Sequence, residues 1–253
     1  MAQAAGPLVI FDCDGVLVDS EPVSVRVLVD ALGRRGLSMD EAEAYRRFLG
    51  RSLGTVTKTM REEFGIEADD AFLEEMRRDL YARFRTDLQP IRGIADALDG
   101  LAMRRCVASS SQPERIRLSL TLTGLIDKLE PHIFSASMVE KGKPAPDLFL
   151  HAAREMGADP VDCIVIEDSP AGIEAGHRAG MTVFAFVGGS HATVPGYRER
   201  IDALSPEVVF DAMPDLLHLV RKHIEGRSGS LPVRPKGRRG TGGLEGQETE
   251  PNA

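Results

Sequence analysis

Two short apolar runs in this chain end in closely spaced acids. The run 8–11 leads into Asp12-Cys13-Asp14-Gly15, and the run 163–166 leads into Glu167-Asp168-Ser169-Pro170. Carboxylates two residues apart on an extended segment project to the same side. Side by side they repel, and a divalent cation is their natural partner. Oxygen donors favour a hard ion such as Mg²⁺, which commonly shares its coordination sphere with a substrate phosphate. Asp168 is positioned to complete such a site from a second strand, with Glu167 behind it to orient a water or another ligand. Each acidic end taken alone also fits an ordinary turn or helix cap. A third segment, Val107-Ala108-Ser109-Ser110-Ser111, runs from apolar residues into hydroxyls before a helix start, where free N–H groups favour an anion. Ser109, with Ser110 beside it, is the candidate for a phosphate oxygen, whereas Ser111 to Glu114 has the spacing of a capping box. The fourth feature is Lys143 in Gly142-Lys143-Pro144, a loop lysine able to face a transferring phosphoryl group.

Together these residues fit phosphoryl transfer through an aspartyl-phosphate. Asp12 would attack phosphorus. Asp14 would protonate the leaving oxygen and then activate water, which requires an environment that raises its pKa. Mg²⁺ and Lys143 would offset charge on the equatorial oxygens.

The elements that must position these groups alternate in period. Apolar runs at 8–11, 106–109, 133–135, 163–166, 182–187 and 208–210 read as buried strands. Helical patterns lie between most of them, at 116–122, 144–156 and 170–179. This alternation predicts an α/β fold, a parallel sheet with helices on both faces. From about residue 20 to 88 there is no strand pattern, and four helical segments are expected at 21–35, 39–48, 56–64 and 71–84. An inserted helical unit of this size needs two adjacent linkers, which suits a lid. The expected organisation is a core of residues 1–17 and 90–225, a helical cap over 18–89, and a disordered tail over 226–253. The tail holds seven Gly and three Pro and cannot bury enough apolar surface to fold.

Composition narrows the function classes. The chain has 253 residues, 42% hydrophobic and 28% charged, as in a folded globular protein. With no Trp, few aromatics and a net charge of −8, nucleic acid and anionic lipid are not expected partners, despite basic residues in the tail. No segment has the ~20 apolar residues of a membrane span, and the N-terminus lacks a basic signal-like region. Three scattered cysteines suggest neither disulfides nor zinc, so a reducing, cytoplasmic location is expected. The six histidines form no ligand pattern. A monomer is the default expectation.

Asp12-Cys-Asp-Gly-Val-Leu-Val-Asp-Ser-Glu21, Ser109, Lys143 in Gly-Lys-Pro-Ala-Pro-Asp147, and Glu167-Asp168 resemble the four ordered motifs of the haloacid dehalogenase superfamily. The resemblance spans about the first 225 residues. It implies a Rossmann-like doubly wound core with an all-helical cap, and Mg²⁺ held by Asp12, the Asp14 carbonyl and Asp168. It further implies Asp12 as nucleophile, Asp14 as acid and base, and Ser109 and Lys143 on the phosphoryl group. Sugar-phosphate phosphatases and β-phosphoglucomutase-like proteins are the most similar branch. Dehalogenases lack the second acid, which Asp14 supplies here. The mutases carry a histidine twelve residues after the nucleophile, where this chain has Ser24. Leu49-Gly50-Arg51-Ser52 resembles the substrate-specificity loop, and Arg51 would meet a hydroxyl-rich or anionic substrate tail. The expected activity is Mg²⁺-dependent hydrolysis of a small phosphorylated metabolite, a sugar or polyol phosphate. A hexose-phosphate mutase and a phospho-acceptor signalling module are the alternatives.

Overall fold

The computed structural model describes residues 6–48 and 53–228. Arg51 and the tail beyond residue 228 lie outside the described residues. In chain order the elements are β1 (Leu8–Phe11), α1 (Glu21–Arg34), α2 (Glu41–Phe48), α3 (Leu53–Phe64), α4 (Asp70–Asp87), α5 (Ile94–Gly100), β2 (Arg104–Ser109), α6 (Pro113–Leu122), α7 (Ile126–Leu129), β3 (Ile133–Ser135), α8 (Asp147–Glu155), β4 (Cys163–Glu167), α9 (Pro170–Arg178), β5 (Thr182–Phe186), α10 (Tyr197–Asp202), β6 (Val208–Phe210) and α11 (Leu216–Ser228).

The six strands form one parallel sheet in the order β3-β2-β1-β4-β5-β6. All four residues of β1 are buried, as a central parallel strand requires. The period of two divides them between the faces. Val9 and Phe11 join one apolar cluster with Ile116 and Leu120 of α6 and Leu216 and Val220 of α11. Leu8 and Ile10 join the opposite cluster with Leu148 and Phe149 of α8 and Ile173 of α9. The sheet is therefore doubly wound, as expected.

Helices α1 to α4 occupy the stretch without strands and hold an apolar cluster of their own. Val25, Leu28 and Leu32 of α1 pack with Phe48, Val56, Met60 and Phe72. Ion pairs of Arg34 with Glu75 and Asp79, and of Arg83 with Asp30, tie α1 to α4 at the surface. The two linkers run side by side. The Asp19 N–H donates to the Gln89 carbonyl at 2.9 Å, and the Ile91 N–H donates to the Leu17 carbonyl at 3.0 Å.

Three boundaries differ from the sequence expectation. The helix expected from Pro144 begins at Asp147, because the Ala145 N–H closes a turn onto the Gly142 carbonyl and leaves Lys143 and Pro144 at the turn's centre. Helix α6 is capped at Gln112, without a side-chain cap, so Ser111 stands outside it. The final helix runs to Ser228 and so takes in the first three residues, 226–228, of the expected tail.

Candidate active site

The sheet order reverses beside β1, and ligands of open parallel sheets bind outside the carboxyl ends of strands at such a point. Asp12 follows β1 and is anchored by its N–H, which donates to the Ile166 carbonyl at 2.9 Å. This pairing sets Asp12 beside Glu167 and Asp168 at the end of β4. Ser109 ends β2 on the other side of β1.

Lys143 ties the three strand ends together. Its Nζ donates to Asp12 Oδ1 at 2.5 Å, Glu167 Oε1 at 2.7 Å and the Ala108 carbonyl at 2.9 Å. It also lies 4.8 Å from the Phe149 ring centroid, a cation–π contact. Burial opposes the ammonium charge, but Asp12 and Glu167 outweigh it and raise the Lys143 pKa. The other Glu167 oxygen, Oε2, accepts from the Asp168 N–H, the Ser169 N–H and the Ser169 hydroxyl at 2.8–3.0 Å. Glu167 thus holds Lys143 and the β4–α9 turn, from the position behind Asp168 at which it was expected to orient a water or another ligand. A glycine at 172 leaves room for it: a Cβ there would stand 1.7 Å from Glu167 Oε1.

The surroundings of Asp14 do not raise its pKa, the condition for proton donation near neutral pH. Its Oδ1 accepts from the Ser20 hydroxyl at 2.6 Å and from Arg115 Nη2 at 2.8 Å, and its Oδ2 accepts from the Ser111 hydroxyl at 2.7 Å. Burial works to raise its pKa. The Arg115 charge and the hydroxyl donors overcome that and lower it instead. Ser111, expected to cap a helix, spends its hydroxyl here. Arg115 in turn stacks 5.4 Å from the Phe84 ring centroid of α4, so it bridges core and cap.

Asp168 is buried. The Tyr197 hydroxyl donates to its carbonyl at 2.6 Å, and His191 Nε2 lies 2.9 Å from its Oδ2. Neither residue stood out in the sequence, since His191 belongs to no spacing pattern and Tyr197 lies beyond β5. Glu21, in the first turn of α1, also faces the site. Burial, reinforced by the Asp14 charge, pushes its pKa up to about 7.

These groups open on a cavity of about 770 Å³. Asp12, Asp14, Ser109, Ser110, Lys143 and Asp168 line its floor, and α1 and α4 form much of its roof. Asp12, Asp14 and Asp168, from which the family resemblance draws its cation ligands, all line the floor. Among the described residues no cluster of three or more His, Cys, Asp or Glu side chains is arranged around an ion. An oxygen set of two carboxylates and a carbonyl still suits a hard ion that keeps waters and shares a phosphate. Burial drives the Asp12 pKa well up, and the Glu167 and Asp168 charges push it the same way, a repulsion that a cation relieves. Gly15 makes the approach possible: at φ +85°, its Cβ would stand 2.0 Å from Asp168 Oδ2. The residues fit the ion.

A family profile described as haloacid dehalogenase-like hydrolase matches residues 7–180. The chain belongs to this family. Among curated relatives of this haloacid dehalogenase-like hydrolase, the 6-phosphogluconate phosphatase of Escherichia coli (strain K12) is 32% identical over 184 residues, 72% of this chain and 83% of the relative. The fructose-1-phosphate phosphatase of the same organism is 29% identical over 174 residues, covering 68% of this chain and 92% of that one. A crystal structure of a HAD family hydrolase from Deinococcus radiodurans R1, with bound phosphate and sodium, shares 30% identity at a TM-score of 0.72. That match covers 87% of this chain and 97% of the other. The expected fold and the expected enzyme class, a phosphoric monoester hydrolase, are borne out. Of the candidate residues, the fold brings Asp12, Asp14, Ser109, Ser110, Lys143, Glu167 and Asp168 together, while Arg51 lies outside the described residues.

Proposed function

We propose that the chain is a Mg²⁺-dependent phosphatase that hydrolyses a small sugar or polyol phosphate through an aspartyl-phosphate on Asp12. The observation that carries this reading is the Lys143 bond to Asp12 Oδ1 at the floor of a cavity that Asp14 and Ser109 also line. Asp12 sits where a carboxylate oxygen can attack phosphorus, forming the Asp12 O–P bond as the ester P–O bond breaks. Lys143 and the Ser109 and Ser110 hydroxyls, which line the same cavity, would meet the phosphoryl oxygens. Held by Asp12, the Asp14 carbonyl and Asp168, Mg²⁺ would supply further positive charge to those oxygens.

Asp14 handles the protons. Its lowered pKa keeps Asp14 ionised, the form that would accept the proton of the water that splits the acyl phosphate, releasing phosphate and restoring Asp12. To donate a proton to the leaving oxygen in the first half, it must give up the Arg115 ion pair. Because Arg115 stacks on Phe84 of α4, a shift of the cap has a lever on that pair. The mutase alternative is disfavoured by Ser24, which lines the cavity where the mutases carry histidine. Family membership and the helical insertion leave the signalling module without support.

The test is phosphate release from a panel of sugar and polyol phosphates, with Mg²⁺ and with excess chelator. The reading predicts Mg²⁺-dependent release from at least one of them. No release from any, or an isomerised product with little free phosphate, would overturn it.

A further inference from the structure

His191 belongs to no motif, yet it is one of the most deeply buried polar side chains in the molecule, 1% exposed. It sits in a short 3-10 turn, Ser190–Thr193, after β5. Its Nε2 is 2.9 Å from Asp168 Oδ2, an ion-pair distance that puts the ring nitrogen in reach of that carboxylate. Among the described residues neither ring nitrogen has a well-aligned hydrogen bond, and the Asp168 carboxylate is the group paired with Nε2. A buried imidazole without such a bond is rare unless a nearby group needs it.

The surroundings are shaped around this ring. Tyr197 meets it edge-on, with centroids 5.1 Å apart, and the same tyrosine bonds the Asp168 carbonyl. A Cβ at Gly189 would stand 2.6 Å from His191 Cε1, and one at Gly15 would stand 3.0 Å from it, so side chains at those positions would displace the ring. The turn is also anchored to the first cap linker, because the Ser190 N–H and hydroxyl both donate to the Asp19 carboxylate. His191 is therefore held against the Asp168 carboxylate.

We propose that His191 is a positioning residue that sets the orientation of the Asp168 carboxylate for a divalent cation. The proposal rests on the reading of Asp168 as a cation ligand given above. Partners behind a ligand fix its direction, and removing one typically weakens metal affinity about tenfold to a hundredfold.

The experiment measures Mg²⁺ binding directly by calorimetry on the full-length chain, without substrate, for wild type, His191→Phe and His191→Gln. Phenylalanine fills the space but offers no nitrogen, whereas glutamine keeps a donor at about the reach of Nε2. Expected is a loss of Mg²⁺ affinity of at least about tenfold in His191→Phe, with His191→Gln restoring most of it. Wild-type affinity in a folded His191→Phe would overturn the proposal. Should that variant fail to fold, His191→Asn, too short to reach Asp168, takes its place with the same expectation. Equal weakening in Phe and Gln variants would also overturn it, since bulk rather than the donor would then be at work. If wild type binds Mg²⁺ in a His191-dependent way but releases no phosphate from any ester, the phosphatase reading fails while this proposal stands.

Discussion

The floor and the roof of the cavity are built by different physics. At the floor, strand ends bring Asp12, Asp14, Lys143, Glu167 and Asp168 into a few ångströms of buried space, and hydrogen bonds fix most of their oxygens and nitrogens. At the roof, Val25, Leu28, Phe48, Leu73 and Met76 present mainly apolar surface from helices joined outside by exposed ion pairs. Buried charges are intolerant of losing a partner, whereas apolar walls change shape at modest cost. Under the proposed function, the floor would set which reaction occurs and the roof which molecule presents its phosphate.

If that division holds, floor substitutions should be severe and indifferent to substrate. Asp12→Asn should lower kcat by at least about a thousandfold on every ester the enzyme accepts, since no other group is placed to form the acyl phosphate. Phosphate-release assays check this, and a loss confined to one substrate would blur the division. Lys143→Met should strip three acceptors of their cation. Beyond lost activity, it should cost about 3–5 kcal/mol of stability by urea unfolding, as removal of one partner from a buried ion pair does. An unchanged midpoint would show that the cluster is not held together as its geometry implies.

Glu21 lies at the seam between the two regions, and its effect should be intermediate. Its pKa rises from 4.5 to about 7 on folding, so the folded protein keeps this proton after the unfolded chain has lost it. Stability should therefore fall as pH climbs from about 4.5 to 7, by up to about 3 kcal/mol from this group. Glu21→Gln should flatten that slope in unfolding free energy against pH. An identical slope in the variant would place the titration elsewhere. The smallest effect is expected at the roof. Leu73→Ala should change the ratio of kcat/KM between two substrates by up to about tenfold while leaving the pH profile in place. A shifted pH profile would show that the roof reaches into the chemistry.

The same contrast explains what could be read in the sequence. Strands β1 and β4 are continuous apolar runs ending in acids, and the parallel sheet places such ends together, so Asp12, Asp168 and the doubly wound topology were legible. Lys143 was legible as a loop lysine, but its turn was not, because Pro144 fits a helix start as well as the turn centre it occupies. The surroundings of Asp14 were hidden. Ser111 has the spacing of a helix cap, and only the start of α6 at Pro113 frees its hydroxyl for Asp14. Arg115 looks like any helical arginine until the cap puts Phe84 beneath it. These partners lower the Asp14 pKa, and they could not be read in the sequence because ion pairing across elements leaves no local pattern. His191 was invisible for the same reason: its neighbour Asp168 lies on the far side of α9 and β5.

The central claim is that Asp12 carries the phosphoryl group during turnover. Acid-quenching the enzyme during hydrolysis of an accepted ester, followed by peptide mass spectrometry, tests it directly. The account predicts a phosphoryl adduct on the peptide containing Asp12, localised to that residue and missing from Asp12→Asn. An adduct on another side chain, or steady turnover by Asp12→Asn at the wild-type rate, would contradict it.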